Sequence, residues 1–186
     1  MGTPQLRQRE LAVITQLVSQ ASQNLGRTAL MKSLYFLKTL RGVPLNYNFS
    51  LYTYGPFDAD VLDDLQYAES LGMVRSKVVP YPTGYGYELK KGPNAAAACK
   101  EESPFLTKHK KDIEWVLKEF GTRTAADLEM LSTLVFADFS AGEQKRHVSL
   151  DEIVSKVGEI KPCLDKERIR DEATRLMDQR LLKHAR

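Results

Sequence analysis

In RTALMKSLYFLKTLRG, residues 27–42, Leu30, Leu34 and Leu37 recur at i, i+4 and i+7, and Met31, Phe36 and Leu40 widen that stripe. A helix this apolar has to be covered by other elements. Residues 28–41 are therefore predicted to be central to a core, with Thr28 as N-cap and Gly42 and Pro44 as the stop. The same stretch holds Arg27, Lys32, Lys38 and Arg41 and no acid. Just downstream, FDADVLDDLQYAESLG (57–72) holds Asp58, Asp60, Asp63, Asp64 and Glu69 and no base. A basic helix followed by an acidic one is the chain's clearest electrostatic feature.

The balance over all 186 residues hides this, since 27 basic and 24 acidic side chains sum to only +3. Residues 121–186 carry 12 of each sign, so the whole excess lies in 1–120. A net charge this small does not by itself imply nucleic acid. With 42% hydrophobic and 27% charged residues, the chain is far from the composition of disordered proteins, and at this size it hides roughly 70% of its unfolded surface. Two cysteines without a CxxC pair exclude a disulfide framework and a cysteine-rich zinc site. No apolar run approaches the ~20 residues of a membrane span, and MGTPQLRQRE lacks the apolar core of a signal peptide. The expectation is a cytoplasmic protein without a membrane segment.

Periodicity places a first helix at about 5–22, where Leu11, Ile14, Leu17, Val18 and Ala21 form one stripe. NFSLYTYGP (48–56) reads as one short strand, 58–71 as a helix ended by Gly72, and the runs 74–79 and 85–90 as a β-hairpin. Helix, helix, strand, helix, hairpin is the winged-helix order. Residues 93–105, bracketed by Gly92-Pro93 and Pro104, read as a linker. Helices follow at 106–120 and 124–138, then a polar loop (139–147), a helix opened by the capping box Ser149-x-x-Glu152, and a last helix at 166–183. The predicted fold is mainly α with a small β-hairpin sheet. It comprises a winged-helix-like domain (1–92), the linker 93–105, and a helical domain (106–186) with the makings of a second helix-turn-helix unit.

No catalytic constellation emerges. His109, His147 and His184 lack a second ligand at metal spacing and read as solvated; Ser140-Ala141-Gly142 is no nucleophile elbow; there is no Walker A and no GxGxxG. Asp60, Asp63 and Asp64 could form a carboxylate face, but a solvated helix start explains them as well. No cofactor and no metal are expected. A winged helix reads DNA with its third helix, and here that helix is acidic, which phosphate would repel. What remains for DNA is Arg27, Lys32, Lys38 and Arg41 on helix 28–41, and Arg75, Lys77, Lys90 and Lys91 around the 73–91 hairpin. Aromatics gather at Tyr47, Tyr52, Tyr54, Phe57, Tyr81, Tyr85 and Tyr87, and tyrosine is enriched at protein interfaces.

Lys32, Leu34, Tyr35 and Phe36, followed by Tyr54, Gly55 and Pro56, resemble the Panacea or SocA-like antitoxin domain, and its YwgA-like relatives more closely still. In that family a K-L-L-Y-F-type helix precedes a short strand ending in Y-G-P. The resemblance covers roughly 65 residues. It implies a small non-enzymatic domain that binds a toxin, or hands a partner to a protease or chaperone. In local terms, Gly55 permits a turn and Pro56 pre-sets φ where the strand would hand over to the next helix.

Three functions follow for testing. The first is a non-enzymatic, antitoxin-like regulatory or adaptor protein that binds another protein (a toxin, an effector, or a protease or chaperone) through Tyr52, Tyr54, Pro56, Phe57, Asp60, Asp64, Tyr81 and Tyr85. Its paired basic and acidic helices would also suit a homodimer. The second is a winged-helix DNA-binding regulator or defence accessory factor. The third, ranked last, is an enzyme centred on Asp60 and Asp64.

Overall fold

A computed structural model describes residues 4–23, 25–81 and 84–185, the side chains of 4–6 and 81 excepted. In chain order the elements are α1 (Pro4–Gln20), α2 (Arg27–Arg41), β1 (Ser50–Tyr52), β2 (Gly55–Phe57), α3 (Ala59–Ser70), β3 (Val74–Tyr81), β4 (Gly84–Lys91), α4 (Ala95–Glu101), α5 (Ser103–Lys108), α6 (Lys110–Phe120), α7 (Ala125–Glu143), α8 (Leu150–Ile160) and α9 (Lys166–Asp178). The protein is mainly helical, with two antiparallel two-stranded sheets, β1–β2 and β3–β4. Two compact units divide it: Met1–Phe49 with Asp58–Thr124, and Ser50–Phe57 with Ala125–Arg186.

In the first unit α2 is the buried helix its apolar stripe predicts: Leu30, Leu34, Phe36 and Leu37 have no exposed surface. Phe36 stacks on Phe120 of α6 with 4.0 Å between ring centres. Thr28 is not the N-cap. The helix starts one residue earlier behind an extended Gly26 without a side-chain cap, and packing rather than capping fixes its beginning. Its end is as expected, with Gly42 at φ +66 and the Gly42 and Val43 N–H groups donating to Lys38 and Leu37 carbonyls. Asp58 caps α3 by accepting the Asp60 N–H at 3.0 Å.

The β3–β4 hairpin pairs in register from Val74↔Lys91 to Tyr81↔Gly84. Its base is fixed by the buried Val74 and Leu89, and by the Leu89 N–H donating to the Leu25 carbonyl at 2.8 Å. Residues 93–105, expected to be a linker, carry α4 and the start of α5, which pack on α1 with Ala95, Ala98 and Leu106 buried. The expected helix 106–120 is interrupted at His109, between α5 and α6. His109 is buried, not solvated, against the Phe105 ring, with Nδ1 3.3 Å from an Asp112 carboxylate oxygen.

In the second unit α7, α8 and α9 pack together and the β1–β2 hairpin lies on α7. The segment 48–56 is not one strand. It folds back at Thr53-Tyr54, pairing Tyr52 with Gly55 and Ser50 with Phe57. The short strand of the winged-helix order therefore pairs with β2. The expected polar loop 139–147 opens as helix, because α7 runs on to Glu143 with Ala137 and Ala141 buried. The Ser149/Glu152 capping box forms as predicted. Helix α9 stops at Asp178 rather than 183. The chain beyond it is held differently: the buried Asp138 carboxylate accepts the backbone N–H groups of Lys183, His184 and Ala185, each at 2.8 Å.

Candidate functional site

The Tyr-Gly-Pro phrase makes the return strand of a hairpin, where the sequence suggested a turn into helix α3. Gly55 has φ +86, a conformation glycine takes without the penalty other residues pay. Its backbone also presses into α7. A Cβ there would stand 3.0 Å from Thr133 Oγ1, 3.1 Å from Ser132 Oγ and 3.2 Å from the Glu129 carbonyl. The two hydroxyls turn back onto that same carbonyl, at 3.1 Å from Ser132 and 2.6 Å from Thr133. Their short side chains leave a notch that a glycine fills and a Cβ would crowd.

A lysine pins the hairpin's tip. Lys161 Nζ donates to the Thr53 carbonyl at 2.9 Å and to Glu129 Oε2 at 3.0 Å, and it sits 5.6 Å from the Tyr54 ring centre. The backbone of 53–55 is thus held from two sides by α7 and by the residue just past α8. Pro56 is buried and Phe57 half-buried against the Tyr52 ring. Yet Tyr52 and Tyr54 are each 66% exposed. Two large aromatics stand in solvent on a backbone anchored by these contacts.

The acidic helix is arranged otherwise. Asp64 is buried, accepting Arg7 Nε at 2.9 Å and the Tyr47 hydroxyl at 3.1 Å. Asp60 is exposed. Glu10, 5% exposed, accepts the Asn46 N–H. Arg7, Glu10, Asn46, Tyr47, Asp60, Asp63 and Asp64 line a cleft of about 310 Å³. Burial pushes the Glu10 carboxyl above its ordinary value, the Asn46 N–H opposes this, and the Asp64 charge adds to it. Burial also raises Asp64, against the Tyr47 hydroxyl and Arg7, and lifts Tyr47 well above the ordinary phenol range. Two of the cleft's carboxylates, Glu10 and Asp64, are thus held toward their protonated form. No group of three His, Cys, Asp or Glu residues that would hold a metal ion occurs among the described residues.

The basic face of α2 is used internally. Lys32 is buried, Lys38 Nζ donates to the Tyr47 carbonyl, Arg27 lies over the Tyr87 ring at 3.5 Å, and Arg41 pairs with Asp112 at 2.8 Å while covering Trp115. Arg75, Lys77, Lys90 and Lys91 are exposed on the β3–β4 hairpin. Tyr85 is 71% exposed on that hairpin, and the Tyr81 side chain lies outside the described residues.

Sequence reasoning missed Lys161, Glu10 and Asp138, and it had Tyr47 only as one of a group of aromatics. Glu10 and Asp138 carried a signal, for Glu10 shares the helical face of Ile14 and Leu17, and Asp138 that of Leu134 and Ala141. A carboxylate on an apolar stripe has to find donors when buried. Lys161 carried none, because its partners are remote in sequence. No protein-family model matches the chain, and no curated protein matches it.

Proposed function

We propose that this chain is a non-enzymatic regulatory or adaptor protein, antitoxin-like in mode, that acts by holding a partner protein with the β1–β2 hairpin as its principal contact. The observation that carries this reading is the pairing of exposure with rigidity at Tyr52 and Tyr54. Exposed aromatics are the commonest anchors of protein interfaces. Ordering a flexible interface side chain costs about 0.5–1.5 kcal/mol. A hairpin whose backbone is already held by Gly55 and Lys161 leaves only that side-chain cost and spares the further cost of ordering a loop. The resemblance of Tyr54-Gly55-Pro56 to the SocA-like domain supports the same reading.

Engagement of all four α2 cations within their own unit counts against DNA docking through that helix. Among the described residues, no helix is long and apolar enough to cross a membrane. The partner is a protein met in solution, and a cytoplasmic setting goes with that reading.

Co-expression with the products of the flanking genes, followed by co-purification and sizing, tests the proposal. A stoichiometric complex that is lost in Tyr52→Ala/Tyr54→Ala, with the melting temperature unchanged, is the expected result. A complex that survives the double substitution would remove the hairpin from the function.

A further inference from the structure

We propose that the free edge of β3 is a strand-addition site for an extended segment of a partner protein in which acidic and apolar residues alternate. The observations lie on the β3–β4 hairpin and are independent of β1–β2. Strand β3 pairs with β4 only, and no strand lies along its other edge among the described residues. The register fixes which groups face that open side. Leu89 sends its N–H away from β3 to the Leu25 carbonyl. Leu89 and its partner Ser76 are therefore a non-hydrogen-bonded pair, and alternation makes Val78–Tyr87 and Pro80–Tyr85 the same. Ser76 and Val78 each turn an N–H and a carbonyl outward, and Pro80 turns out a carbonyl where its missing N–H costs the ladder nothing. Among the described residues these outward groups make no backbone hydrogen bond. A strand added here would find donors and acceptors already extended and in line.

The two faces of the hairpin specify the two faces of that strand. On one face, beyond the buried Val74 and Leu89, Val78 is 57% and Tyr85 71% exposed. On the other, Arg75 and Lys77 are exposed and make no ion pair among the described residues. Arg75 stands directly opposite Lys90, and the face's carboxylate, Glu88, lies opposite Lys77 and pairs with Lys90 at 3.8 Å, which leaves Arg75 and Lys77 as the cations open to an incoming acid. Side chains of an incoming strand alternate between these faces. Those beside Arg75 and Lys77 are best acidic, and those beside Val78 best apolar. The same cations repel a second copy of this edge, and Pro80 blunts it toward the tip. The occupant is therefore a different chain of acidic–apolar alternation.

The probe is a short fluorescent peptide alternating glutamate and valine, titrated into the full chain and followed by anisotropy. A peptide of the same composition with its glutamates and valines in separate blocks, and a DNA duplex, serve as comparisons. The alternating peptide is expected to bind best and to slow amide exchange at Ser76 and Val78. Val78→Pro removes one outward donor without touching the ladder to β4, and is expected to weaken binding roughly tenfold. Lys77→Glu, on the surface, is expected to weaken it by a similar factor even if Val78→Pro proves unstable. Absence of peptide binding, equal binding of the blocked peptide, or unchanged exchange at Ser76 and Val78 would overturn the proposal. Duplex binding that depends on Lys77 but not on Val78→Pro would assign the face to nucleic acid instead.

Discussion

Replacing Gly55 by alanine puts the account of the hairpin at risk in a single atom. Two costs follow from the geometry. The first is conformational, since φ +86 is outside the range an L-residue favours, at about 1–2 kcal/mol. The second is steric. The new Cβ would meet Thr133 Oγ1 at 3.0 Å and the Glu129 carbonyl, a backbone atom with little room to yield, at 3.2 Å. Overpacking of this kind costs about 1–3 kcal/mol. Together they give about 2–5 kcal/mol, which for a chain of this size lowers the melting temperature by roughly 10 °C. Urea unfolding followed by far-UV circular dichroism measures the loss. A Gly55→Ala/Thr133→Ala double variant probes the steric term, because removing Oγ1 relieves the nearest of the three contacts but neither the other two nor the backbone strain. A coupling of about 1 kcal/mol is expected between the two substitutions. A loss below about 1 kcal/mol for Gly55→Ala, or strictly additive variants, would refute the notch.

Glu10 and Asp64 give a pH prediction. Their folded pKa values lie above the ordinary carboxylate values, so the folded state binds protons more tightly than the unfolded one. That contribution is complete below the ordinary values and is lost as pH rises through the raised ones. Glu10→Gln keeps the acceptor for the Asn46 N–H while removing the charge, so it is expected to raise the urea midpoint at pH 7 and leave it unchanged at pH 4; an equal effect at both would show that Glu10 is not a strained carboxylate. Asp138→Asn leaves one oxygen where two served three N–H groups, and is expected to cost about 1–3 kcal/mol and to speed amide exchange at 183–185. Wild-type exchange rates there would show that Asp138 does not hold the C-terminal segment.

Helices were the legible part of this chain, because apolar spacing is a local property. The stripe of α2, the Gly42 and Gly72 stops and the Ser149/Glu152 capping box could all be read directly. Pairing was not legible. Residues 48–56 have the composition of a strand whether they run straight or fold back, and what turns them is the fit of Gly55 against Ser132 and Thr133, far along the chain. The partners of the charged groups were hidden for a related reason. A run of cations without acids suggests a surface for phosphate, yet Arg27, Lys38 and Arg41 take their partners from Tyr87, Tyr47 and Asp112. Asp64 likewise belongs to Arg7 and Tyr47. At the candidate site the tyrosines were visible in sequence, but the lysine that steadies them was not.

The central claim is that residues 50–57 form the contact with a partner protein. Amide hydrogen exchange of the full chain, alone and saturated with a flanking-gene product selected by co-purification, tests this most directly. The account predicts slowed exchange concentrated in 50–57 and in the part of α7 that carries Glu129, Ser132 and Thr133. A complex that leaves 50–57 exchanging as in the free protein would contradict it.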